Sequence, residues 1–196
     1  MTRKGFRPEV SEKPVFARTA LSSDSMILRS QSAVTLFLLV ASLGLSAQKS
    51  INAGQNVAVA AWLGQHPSYR LARDQDCECD EDLRTVRAVG YGAKWKPAPN
   101  YDPYFVTGDF NGDGVADFAV VVVNTHKAHD FTMLVFNGPI DEHHPSPAFA
   151  NEHRDLRGVG LFYGPPRPKP YRLLVGRFEA EGLVLQPHGK TYRLVE

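Results

Sequence analysis

Cysteine is scarce in this chain of 196 residues: there are two, both in Cys77-Glu78-Cys79. They permit one bridge at most, and an even count favours that bridge in an exported protein. A Cys-x-Cys bridge closes a very small ring, so it is expected to be readily reduced and to add little stability; two free thiols are the alternative. An excess of charge of one sign is also lacking, with 22 Lys and Arg against 21 Asp and Glu. That balance gives no reason to expect nucleic acid or an anionic membrane surface as partner. Nor is there a Gly-x-Ser-x-Gly elbow, a glycine-rich phosphate loop or a His-Glu-x-x-His helix, so no catalytic class is legible from motifs.

Long apolar runs are missing too. The one run of note, Ala33–Leu45, is shorter than the roughly 20 residues of a comfortable membrane span. With Arg29 before it and Ser46-Ala47 after it, the run reads as the apolar region of an export signal. Cleavage is expected after Ala47, and Met26 offers an alternative start that would give a signal of ordinary length. No cysteine stands just after the run, which argues against a lipid anchor. The chain therefore divides into residues 1–47, an export signal and the segment before it, and residues 48–196, one exported domain, secreted or periplasmic. That domain has a slight acidic excess and is long enough to bury a core of its own.

What stands out within it is Gly108-Asp109-Phe110-Asn111-Gly112-Asp113-Gly114-Val115-Ala116-Asp117. Oxygen-bearing side chains fall at Asp109, Asn111, Asp113 and Asp117, positions 1, 3, 5 and 9 of a loop, and the Val115 carbonyl would serve at position 7. Calcium takes six to eight oxygens in a flexible shell, and acidic loops supply them with this alternation. Gly114 falls at position 6, where the chain turns sharply. Magnesium, which demands a near-octahedral cage, fits less well. Asn, Asp and Gly also build tight turns, but a turn does not need three acidic residues in nine positions. Without a cation they would repel one another.

Val120 stands where the closing Glu of an EF-hand belongs, and a β-branched run follows where a helix should leave the loop. With Gly-Asp-Phe before it and Phe118-Ala119-Val120-Val121 after it, the stretch resembles the calcium loops of FG-GAP or VCBS-type repeats, as found in integrin α-subunits. The resemblance implies a loop joining two antiparallel strands, with Asp in place of Glu at position 9. It also implies Ca2+ ligands at Asp109, Asn111, Asp113, Val115 (carbonyl) and Asp117. A propeller, the usual setting of such loops, needs several four-stranded blades, and this chain has room for only a few hairpins.

Elsewhere the pattern alternates between short helices and strands. Asn56–Leu63 is helical in composition, closed by Gly64 and Pro67, and Tyr69–Ala72 reads as extended. Leu83, Val86 and Val89 recur at helical spacing from Asp80 onward, with acids first and arginines later, as a helix dipole favours; Gly90 and Gly92 stop it. Phe118–Val123 reads as a central strand buried on both faces, and Phe131–Phe136 as its returning neighbour. Pro145-Ser146-Pro147 opens a loop or short helix through Phe149. Further strands are expected at Gly160–Tyr163, Tyr171–Val175, Leu183–Leu185 and Thr191–Val195. The fold class is α+β, a mostly antiparallel sheet with short helices on the N-terminal side.

Four features carry a functional reading and a plainer one. Trp95, Tyr101, Tyr104 and Phe105 form either a ligand platform or core packing. Pro165–Pro170 is a polyproline recruiting segment or a stiff connection. Residues 105–114 can be laid over 173–182, as a second loop in which Arg177 replaces the cation, or as chance between two hairpins. His143, His144 and His153 with an acid would make a zinc site, although their spacing follows no zinc signature. Two functions are expected: a non-enzymatic calcium-binding module with a protein- or glycan-binding surface, or an exported hydrolase with scattered catalytic groups. The first is preferred.

Overall fold

Two cores meet at one strand. In the computed structural model, which describes residues 51–90, 95–140, 145–178 and 180–196, β3 (Asp117–Asn124) is buried along nearly its whole length. Phe118, Val120 and Val122 pack with α1 (Ala53–Gln65) through Ala58, Val59 and Trp62. Ala119, Val121 and Val123 point the other way, toward Leu161, Val175, Leu185 and Tyr192 of a second sheet and the adjoining Leu173. The period of two along a strand thus feeds two layers, and the continuous β-branched run is explained.

The first sheet is antiparallel. The short strands β1 (Tyr69–Leu71) and β2 (Phe105–Gly108) lie end to end along one side of β3, and β4 (Phe131–Phe136) lies along the other, followed by β5 (Phe149–Arg154). Phe118 and Phe136 are register partners and stack with ring centroids 4.7 Å apart. The second sheet is a four-stranded meander of β6 (Val159–Phe162), β7 (Leu174–Arg177), β8 (Gly182–His188) and β9 (Thr191–Val195). The order is helix, sheet, sheet, and the α+β class holds, with two sheets where the pattern suggested one. The described residues all belong to the unit Gly44–Glu196.

Helix α1 begins at a capping box. The Asn52 side chain accepts from the Gln55 N–H and the Gln55 side chain accepts from the Asn52 N–H, both at 2.9 Å, which satisfies two otherwise orphaned donors. At its other end the His66 ring stacks on Trp62 at 3.9 Å. Helix α2 (Asp80–Ala88) carries three acids in its first turn and Arg87 in its last. Gly90 follows with φ +85°, and a Cβ there would stand 2.1 Å from the Trp95 carbonyl oxygen. Cys77 and Cys79 are disulfide-bonded and buried just before α2.

Two strands and the posited second loop depart from the pattern. β5 begins at Phe149, where the expected loop or short helix ends, and runs on through residues the pattern assigns to no element, because Phe149–Arg154 lies at a sheet edge and five of its six residues are polar or small. β7 starts three residues later than its apolar run. Residues 178–181 alone connect β7 and β8, so the second loop posited from residues 173–182 ends inside β8. Pro165–Pro170 lies between β6 and β7 as a connection. No helix among the described residues is long and apolar enough to cross a membrane. Residues 1–47, the expected export segment, lie outside the described residues, as do Gly92 and Glu179.

Candidate metal loop

Gly108 and Asp117 are the last register partners of β2 and β3, so residues 109–116 form the connection between two antiparallel strands. Gly112 and Gly114 both have φ +84°. Nothing lies within 4 Å of a Cβ built on either, so glycine is required there by backbone conformation and not by space. Phe110 turns inward, is fully buried, and meets Tyr163 edge to face at 5.3 Å.

The polar side chains are tied to the loop's own backbone. Asp109 Oδ1 accepts from the N–H groups of Gly112 (2.6 Å) and Asp113 (3.1 Å), and Oδ2 from Gly114 (3.0 Å). Asn111 Oδ1 accepts from the Asp113 N–H at 2.9 Å, while its amide donates to Asp113 Oδ2 at 2.9 Å. Asp113 Oδ1 accepts from the Val115 N–H at 2.7 Å. Asp113 and Val115 are exposed, Asp109 and Asn111 half-buried.

Asp117 differs from the rest, being completely buried. Its Oδ2 accepts from the N–H groups of Phe110 (2.8 Å) and Asn111 (3.3 Å) and from the Tyr192 hydroxyl (3.4 Å), and its Oδ1 accepts from the Gly138 N–H at 2.9 Å. Burial pushes its carboxyl above the usual range, against the lowering effect of the Gly138, Phe110 and Asn111 donors, and the Asp113 charge adds to the rise. Burial likewise raises the Tyr192 hydroxyl, with the Asp117 charge second. Asp117 therefore ties the loop to the end of β4 and to the second sheet.

Neither a family model, nor a curated protein, nor a solved structure matches this chain. The reading of the loop rests on its own chemistry.

That chemistry is all oxygen, which suits a hard cation. Asp109 Oδ2, Asn111 Oδ1, both Asp113 oxygens and Asp117 Oδ1 each carry a single hydrogen bond, which leaves each a second lone pair. Among the described residues no Lys, Arg or His pairs with Asp109, Asp113 or Asp117. The side chains as placed serve their own backbone, and no three His, Cys, Asp or Glu among the described residues are arranged as a ligand set.

The other candidates separate. His143 and His144 lie outside the described residues. His153 on β5 instead places Nδ1 2.9 Å from Oδ1 of the buried Asp130. Burial pushes Asp130 up, but His153, Lys127 and Asn124 outweigh it and hold the carboxyl below its usual value. Tyr104 and Phe105 are core residues in different cores. Tyr101 stacks on Phe162 at 5.4 Å, and Trp95 lies 5.7 Å from the same ring. Tyr163, Tyr192, Asn137 and Gly138 support the loop from positions far along the chain, and nothing near the motif signals them.

Proposed function

We propose that this protein is an exported, non-enzymatic calcium-binding module in which Ca2+ rigidifies the β2–β3 hairpin. The observation that carries this reading is a group of three carboxylates on one hairpin, with Asp117 wholly buried and no basic partner among the described residues. Such a group repels itself unless a cation offsets it. Asp109, Asn111, Asp113 and Asp117 with the Val115 carbonyl would hold the ion, whose contribution is to neutralise and crosslink them. The resemblance to FG-GAP and VCBS-type loops supports the same set.

The partner, a protein or a glycan, is assigned to the outer face of the second sheet. There Phe162, Leu174, Val184 and Val195 stand in one cross-strand row, all half-buried and outside both cores. Tyr101 lies across Gly160 beside them, where a Cβ would meet its hydroxyl at 2.3 Å. A row of apolar side chains flanked by aromatic rings offers adhesive area to a partner.

Thermal unfolding in chelator and then in millimolar calcium tests the metal. With calcium 100-fold above Kd the gain is about 2.7 kcal/mol, or roughly 5–10 °C for a domain of this size. Asp113→Ala is expected to abolish most of it. An unchanged midpoint in the wild type would reduce the loop to an acidic turn.

A further inference from the structure

We infer that Tyr192 is a positioning residue for the cation loop, and that through it calcium binding and the seating of β9 on the first sheet are linked. This inference rests on the calcium reading above and concerns how the fold regulates that site.

The argument starts from where the ninth loop position is held. Asp117 has two routes to the rest of the molecule, the Gly138 N–H at Oδ1 and the Tyr192 hydroxyl at Oδ2. These routes are joined, because the Tyr192 hydroxyl also lies within hydrogen-bond reach of Asn137 Oδ1, and Asn137 immediately precedes Gly138. A hydroxyl has one proton to donate. Held on Asn137, it fixes the turn that presents the Gly138 N–H; directed to Asp117, it steadies the carboxylate itself. Either way Tyr192 restrains the one ligand candidate that no solvent reaches.

Space reinforces this. A Cβ on Gly138 would stand 2.4 Å from the Ala116 carbonyl oxygen and 2.6 Å from Val115 Cγ1, so the 137–138 turn is pressed against the loop's last residues. Movement of that turn must move residues 115–117, including the Val115 carbonyl. Tyr192 is itself only 4 % exposed, belongs to the inter-sheet core, and faces Phe149 edge-on. Displacing it would therefore disturb the contact between the sheets. The loop is local in sequence, but one of its anchors belongs to the last strand, 75 residues on.

Two sites that share a restraint influence each other equally in both directions. An ion that draws Asp117 into place is expected to hold Tyr192, and with it β9, more firmly. Loss of the hydroxyl is expected to loosen Asp117 and weaken the ion. One hydrogen bond of this kind is worth about 1 kcal/mol, which corresponds to about fivefold in Kd.

The test is calorimetric calcium titration of the wild-type chain, Tyr192→Phe and Asn137→Ala, with amide hydrogen exchange over Thr191–Val195 in chelator and in calcium. Tyr192→Phe keeps the ring in the core and removes only the hydroxyl. The expected result is a Kd raised about fivefold in Tyr192→Phe and in the same direction in Asn137→Ala. Calcium should also slow β9 exchange in the wild type but not in Tyr192→Phe. A merely structural hydroxyl would lower stability equally with and without calcium and leave Kd unchanged, which overturns the inference while the calcium reading stands. Wild-type protein that takes up no calcium overturns both. Should one variant fail to fold, a Kd within twofold of wild type in the other overturns the inference.

Discussion

The ring of Tyr163 lies so close to Gly108 that a Cβ at that glycine would stand 2.4 Å from Cε1. The same tyrosine accepts from the Asp109 N–H at 3.2 Å and donates to the Asp109 carbonyl at 2.9 Å. The glycine ahead of the acidic loop is thus a seat for a side chain of the second sheet's connection. Gly108→Ala is expected to force the ring aside and cost about 1–3 kcal/mol, as overpacking does. Tyr163→Phe should cost about 1 kcal/mol through the lost hydrogen bonds. Urea unfolding midpoints measure both, and a neutral Gly108→Ala would show that the ring moves freely.

Helix α1 is held by packing more than by its cap. Trp62→Ala removes a nearly buried indole from the core shared with Phe118, Val120 and Val122 and should cost about 3–5 kcal/mol. Asn52→Ala breaks the capping box and should cost about 1 kcal/mol. Far-ultraviolet circular dichroism during urea unfolding gives both values, and the reverse order would place the helix outside the core.

Acid should weaken the fold where carboxyls are held low, at Asp76 above all. Arg70 holds Asp76 through a double hydrogen bond, both contacts at 2.7 Å, and keeps its carboxyl below the usual 3.8. Arg157 holds Asp155 down to about 2. A carboxyl depressed in the folded state contributes stability above its unfolded value and loses it as the pH falls through its folded value. Stability should therefore decline from about pH 4 toward pH 2, and Asp76→Asn should flatten part of that slope in urea midpoints taken across the range. The Asp155 pair is well exposed and is expected to contribute little.

The Cys77–Cys79 bridge closes a ring of three residues, for which chain entropy gives about 1.6 kcal/mol. Paired Cys77→Ala and Cys79→Ala substitutions should lower stability by about that amount without unfolding the protein. A much larger loss would mean that the bridge organises the approach to α2.

Legibility followed locality. β4 and β9 occupy the residues their patterns assigned, and the loop lies between two strands, because alternation and turn chemistry are written within a few neighbouring residues. The supports of Asp117 are not so written: Tyr192 and Gly138 reach it across the fold, and an ordinary tyrosine or a glycine before a proline carries no mark of that duty. The single β-branched run at 118–123 reported burial on both faces but not what would cover each. Only the structure assigns the helix to one and the second sheet to the other.

β5 was hidden by its polarity, and that polarity has a use. A strand at the end of a sheet leaves backbone donors and acceptors open to any passing chain. Here the exposed Glu152, His153 and Arg154 crowd that margin, so a second strand aligning there would have to accommodate closely spaced side chains of both signs. The first sheet stops at β5 because its outermost residues make a poor template, and resistance to aggregation is built into the segment that looked least like a strand.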